Sequence, residues 1–131
     1  MFRWLDRRAV LLLHDESIAV FGGASGLRDA GLLDSALGRA PARLHYQPGS
    51  TLAELAAAYA HGLAQNHPFV DGNKRSAFMA LGLFLHLNGH ELSATQVDAI
   101  HVMLALAAGE ISEGELAHWI SLHCRPRGKK P

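Results

Sequence analysis

A single cysteine, Cys124, stands among the 131 residues, so no intrachain disulfide can form and the chain suits a reducing cytoplasm. Charge of one sign is missing too. Lys plus Arg and Asp plus Glu both number 12. That balance argues against bulk nucleic-acid binding, which normally leaves a basic surplus, so no direct nucleic-acid partner is expected. Long apolar runs are also lacking. The longest, Phe78 to Leu87, is interrupted by Gly82 and His86 and falls far short of the ~20 residues of a membrane span, so no membrane partner is expected. Met1 to Arg8 is charged and has no apolar stretch followed by a small-residue cleavage site, which reads as no signal peptide and a cytoplasmic location. Internal repeats, low-complexity tracts and composition breaks are absent. Residues 1–124 therefore read as one domain, and Arg125, Arg127, Lys129 and Lys130 as a solvated basic tail over 125–131.

What is present is apolar material in helical spacing. Apolar residues make up 49% and charged residues 18%, enough to bury a core. Asp6 can cap a helix through Val10, Leu13, Ile18 and Phe21, ended by Gly22-Gly23. Asp29 can cap a second through Leu32, Leu33, Ala36 and Leu37, with Pro41 near its end. Leu52, Leu55, Ala56, Tyr59 and Leu63 mark one face of a third. Ser76 to Leu87 is apolar on nearly all sides, which predicts a helix surrounded by others at the centre, ended by Asn88-Gly89. Ser93 with Gln96 and Ser112 with Glu115 offer capping boxes for two more. Val97, Ile100, Leu104 and Ala108 would face inward on the first of these, and Leu116, Trp119 and Ile120 on the second. His101, one position after Ile100, reads as packed. No sustained alternation predicts a sheet, although a short hairpin stays open for the Arg43–Thr51 loop. The expectation is all-α: a compact bundle of about six helices around a buried central one.

The chemistry is concentrated in nine residues, His67-Pro68-Phe69-Val70-Asp71-Gly72-Asn73-Lys74-Arg75, placed where the fourth helix begins. The first N–H groups of a helix lack internal partners and carry partial positive charge. Gly72 allows close backbone approach, and Lys74 and Arg75 add cations, so a phosphate would be well held there. Asp71 would repel a phosphate directly but suits Mg²⁺ bridging phosphate oxygens. His67 could take a proton from an attacking hydroxyl, as imidazoles ordinarily titrate near ~6.5. A base, a metal carboxylate, an anion cradle and a cationic clamp are the parts phosphoryl or nucleotidyl transfer needs. The nine histidines supply no pair with a third ligand at zinc spacing. Arg28, beside the second helix cap, reads as a tie between helices rather than a catalytic group.

His67 to Arg75 resembles the signature of the Fic/Doc family, His-Pro-Phe-x-Asp/Glu-Gly-Asn-Gly/Lys-Arg, and is similar to its Doc (death-on-curing) branch because Lys74 stands where adenylylating members usually have glycine. Gly22-Gly23, Gly26-Leu27-Arg28-Asp29, Gly31-Leu32-Leu33 and Ser35-Ala36-Leu37 look like the Doc N-terminal pattern, and the likeness runs from about Leu5 to Leu122. The resemblance implies a Fic fold and a toxin of a type II toxin–antitoxin pair. Fic relatives move AMP from ATP to a target hydroxyl; Doc-like toxins move the γ-phosphate, with ATP bound in the reverse sense, and inactivate elongation factor Tu.

Carried onto this sequence, the resemblance makes His67 the base, Asp71 the metal-linked residue, Gly72 and Asn73 the anion hole, and Lys74 and Arg75 the phosphate holders, with ATP and Mg²⁺ as cofactors. A lysine at position 74 takes space a glycine would leave for a deep phosphate, which favours kinase over AMP transferase. AMP transfer, and a silent binding protein on the same scaffold, remain the alternatives. The inhibitory Ser/Thr-x-x-x-Glu-Gly/Asn helix of many Fic proteins is not matched: Ser50 to Glu54 has the spacing, but Leu55 follows. An external brake is expected instead, a cognate antitoxin whose disordered tail folds as an amphipathic helix into an apolar groove. The Arg43–Thr51 loop could serve as a flap for the target segment.

Overall fold

The computed structural model describes residues 1–128. Its order is α1 (Arg7–Phe21), α2 (Ala30–Tyr46), α3 (Leu52–Asn66), α4 (Asn73–Leu87), β1 (His90–Leu92), α5 (Gln96–Ala107), α6 (Glu113–His123) and β2 (Cys124–Pro126). The fold is an all-α bundle, as expected. Asp6 and Asp29 cap α1 and α2 through their side chains, and Ser112 with Glu115 closes a capping box on α6. Gly22, with φ 83, ends α1, and Gly89, with φ 79, turns the chain after α4.

The central helix is α3, not α4. Ala53, Leu55 to Ala60 and Gly62 to Ala64 are buried, so nearly the whole circumference of α3 is covered. It packs against α2, α4, α6 and α5. The reason is side-chain size. Alanine and glycine let neighbouring backbones come close, and a Cβ at Gly62 would lie 3.2 Å from Ala36 Cα on α2. In α4 the larger residues Phe78, Met79 and Leu83 are only half-buried, because one side of the helix opens toward α5. Apolarity on all sides therefore marked the wrong helix, and small size was the better sign of a surrounded one.

Further details depart from the sequence reading. In α5 the buried residues are Ala99, Met103 and Leu106, while Val97, Ile100 and Leu104 are 62%, 52% and 48% exposed. This helix carries apolar residues on both stripes, so periodicity could not choose between them. His101 is exposed with the outward stripe rather than packed. The α5 cap is Thr95, bonded by Asp98 N–H, rather than Ser93 with Gln96; Ser93 donates its N–H and hydroxyl to His123 O instead.

Pro41 sits inside α2, which runs on to Tyr46. Arg43 to Tyr46 are therefore helical, and a short turn before α3 replaces the hairpin or flap that the sequence leaves open over Arg43–Thr51. A small antiparallel pair, β1 with β2, joins Glu91 to Arg125, with Arg125 also ion-paired to Glu91 at 3.1 Å. Alternation cannot reveal strands of three residues. The chain beyond α6 is thus pinned by its backbone through Pro126, while Arg125 and Arg127 stay exposed as expected of a solvated tail; Lys129 and Lys130 lie outside the described residues.

Candidate active site

The nine-residue motif forms the connection from α3 to α4. His67 is the C-cap of α3, in the left-handed region at φ 49 and ψ 56, with its side chain exposed. Pro68 follows, and Phe69 turns inward to 1% exposure. Asn73 brackets Phe69 with its amide: Phe69 N–H donates to Asn73 Oδ1 at 2.9 Å, and Asn73 Nδ2 donates to Phe69 O at 3.0 Å. The Asn73 side chain is therefore a staple of the loop, and what it can offer an anion is its backbone N–H.

At Gly72, with φ 74, the chain enters α4 with no side-chain cap. The other five helices are each capped by a side chain, from Asp6, Asp29, Thr51, Thr95 and Ser112. The first N–H groups of α4 thus keep their partial positive charge for a ligand. His67, Val70, Asp71, Gly72, Asn73, Lys74 and Arg75 line one cavity of about 400 Å³ here. Every site residue expected from sequence is brought to it.

The Asp71 carboxylate is held by two backbone donors, Gly72 N–H at 2.8 Å and Ala24 N–H at 3.3 Å. These bonds, in that order, and then the charge of Arg75 hold its carboxyl below the ordinary carboxylate value. An ionised, exposed carboxylate beside an anion cradle fits a hard divalent cation. Among the described residues no three His, Cys, Asp or Glu side chains gather as a metal cage, and Asp71 is the carboxylate that lines the cavity. Lys74 is exposed. Arg75 donates from Nη2 to Gly22 O at 3.0 Å and stacks its guanidinium over Phe21 at 5.3 Å. It therefore ties the end of α1 to the site as well as lining the cavity.

Residues beyond the motif hold it in shape. The α1–α2 loop runs across it: Val70 N–H donates to Gly26 O at 3.0 Å, and Leu27 bridges Phe69 in an antiparallel sense. His14 of α1 is buried at 1% exposure, stacks on the Phe69 ring at 3.8 Å between centroids, and donates from Nε2 to Asp71 O at 2.7 Å. Sequence reasoning passed over His14. Its signal was a polar residue four positions after Val10 on the inward stripe of α1. Gly23 reads from sequence as part of a helix stop and of the Doc N-terminal pattern, and the structure adds a closer reason for it: a Cβ there would lie 2.6 Å from Asp71 Oδ2.

A second, apolar groove of about 780 Å³ lies between α4 and α5, lined by Phe21, Phe78, Met79, Ile100, Met103 and Leu104 among others. Lys74 and Arg75 line it too, so the polar cavity and the groove meet at those two cations.

Comparison with known sequences settles the ancestry. The Fic/DOC family matches residues 4–85, more than half of the chain and the whole of the motif. This chain belongs to the Fic/Doc family. Among its Fic/Doc relatives, "Protein kinase doc" of Escherichia phage P1 is 33% identical over 115 residues, covering 88% of this chain and 90% of the relative. "Toxin Doc" of Mycolicibacterium smegmatis is 46% identical over 95 residues, covering 72% of this chain and 71% of the relative. Among the described residues no helix is long and apolar enough to cross a membrane.

Proposed function

We propose that this Fic/Doc protein is a Doc-like toxin of a type II toxin–antitoxin system that transfers the γ-phosphate of ATP to a hydroxyl of a translation factor, with elongation factor Tu as the expected target. One observation carries the reading: the only helix start without a side-chain cap among the described residues opens onto the cavity lined by His67, Asp71, Lys74 and Arg75. The relative named as a protein kinase supports the same class of chemistry.

In this reading His67 accepts the proton of the attacking hydroxyl. The N–H of Asn73 at the open start of α4 faces the phosphate oxygens, while that of Gly72 is bonded to the Asp71 carboxylate, and Lys74 and Arg75 offset the phosphate charge. Asp71 would hold Mg²⁺, which would supply charge neutralisation for the transferred group. Lys74 occupies space that a glycine would leave open, which favours a terminal phosphate at the cradle over a deeply bound nucleotide. The apolar groove fits a cognate antitoxin whose disordered tail folds into it as an amphipathic helix. Its placement against Lys74 and Arg75 would let the tail act on the site directly.

Incubation of the protein with cell extract and ATP labelled on either the α- or the γ-phosphate tests the proposal. Label from γ alone, on a protein of the size of elongation factor Tu and dependent on His67, is the expected result. Label from α would assign AMP transfer instead, and no label from either would leave a binding protein.

A further inference from the structure

His67 is the only non-glycine residue with positive φ among the described residues. A side chain with a Cβ is disfavoured there, so something must hold it. Helices that end in this conformation usually close with backbone N–H groups from the next residues bonding back to the last carbonyls. Here the next residue is Pro68, which has no N–H to give.

Arg28 supplies what the backbone cannot. Its Nε donates to His67 O at 2.7 Å and its Nη2 to Asn66 O at 2.9 Å. The two bonds fix the peptide groups on both sides of His67, and the cation sits at the negative end of the α3 dipole. Arg28 is itself anchored: its N–H and that of Asp29 both donate to Pro68 O, at 2.7 and 3.0 Å, and Asp29 caps α2. The fork geometry of a guanidinium suits two adjacent carbonyls, whereas a lysine ammonium would reach them as a point charge.

We propose that Arg28 is the positioning residue for His67: it locks the strained end of α3 and so aims the imidazole into the phosphate cavity. This rests on reading His67 as the base, and the test separates the two claims. Arg28→Ala and Arg28→Lys would be prepared in the full chain and compared with wild type in three measurements: phosphate transfer kinetics, thermal melting, and side-chain ¹H–¹⁵N NMR of the histidines.

For Arg28→Ala the expected result is a kcat loss of roughly tenfold to a hundredfold, of the size a misplaced catalytic group produces. KM for ATP should stay within about twofold, because the anion cradle is untouched. The His67 ring signals should shift and broaden while those of His14 and His61 stay in place. Arg28→Lys should fall between Ala and wild type. Wild-type kcat in either variant overturns the proposal, as does a His67 signal that does not move, or one that moves only together with His14 and His61. Should the wild-type protein transfer nothing, the enzyme reading fails, and the NMR measurement still decides what Arg28 does.

Discussion

Two successive helices of equal length, α3 and α4 with 15 residues each, begin in opposite ways. At the start of α3 Thr51 and Glu54 form a reciprocal box: Glu54 N–H donates to Thr51 Oγ1 at 3.1 Å, and Thr51 N–H donates to Glu54 Oε1 at 2.8 Å. At the start of α4 Gly72 offers no side chain, and the nearby carboxylate, Asp71, points its oxygens at Gly72 N–H and at the α1–α2 loop. In α3 the electrostatic charge of a helix end is used internally, for stability. In α4 it is left open to the cavity. The difference teaches that stability and site are written with the same chemistry, and that a missing cap can be as informative as a present one.

The comparison can be broken most severely at the base. His67→Ala should lower transfer roughly 10²–10⁴-fold, the usual contribution of general base catalysis, with the melting temperature little changed because the side chain is exposed. Rate and calorimetry on one preparation check this, and a parallel fall in both would mean the residue is structural. Gly23→Ala should come next. Its new methyl would press on Asp71 Oδ2 and its φ of +115 is unfavourable to a side chain, so transfer should drop about tenfold for a misplaced carboxylate. A compensating rise in Mg²⁺ requirement would locate the damage at Asp71.

The α3 start should respond in the opposite currency. Thr51→Ala should cost about 1 kcal/mol of unfolding free energy, as lost caps do, and leave the transfer rate unchanged. Denaturant titration beside a rate assay measures both. The smallest effect concerns acid. The Thr51 N–H holds the Glu54 carboxyl below its ordinary value of 4.5 against an upward push from burial, with Arg43 adding a lesser downward pull. A lowered folded pKa means that the stabilisation is full above that ordinary value and is lost as pH falls through the folded one. Glu54→Gln should therefore flatten the acid limb of a melting-temperature profile without moving the neutral plateau, and an unchanged acid limb would place the sensitivity elsewhere.

Local signals in the sequence were dependable where one or two neighbouring residues decide the outcome. Asp6, Asp29 and the pair Ser112–Glu115 cap as their types predict, and Asn88–Gly89 ends α4. The motif was legible for the same reason: His67 to Arg75 are adjacent in the chain and line one cavity. What depends on partners distant in sequence was hidden. The stripe of α5 that faces inward is chosen by α3, α4 and α6, so Ile100 and Leu104 could not be placed from spacing. His14 reaches Asp71 across 57 positions and Arg28 reaches His67 across 39. No window of local sequence contains those pairs. Pro41 was misread because an interior proline is costly in isolation but is tolerated in α2, which packs along α3.

The alanine surface of α3 has one more consequence. Ala56, Ala57, Ala60 and Gly62 bring neighbouring backbones close to α3, while Leu55, Tyr59 and Leu63 fill the core beside them, so the helix that ends at His67 is fixed on nearly every side. His67 is carried on the end of that buried helix, while the exposed Gly22–Asp29 segment reaches the Asp71 carboxylate through the amide of Ala24. The Gly22–Asp29 segment thus touches both ends of the motif, at Asp71 through the Ala24 amide and at His67 O through Arg28, so one change in its shape would shift imidazole and carboxylate together.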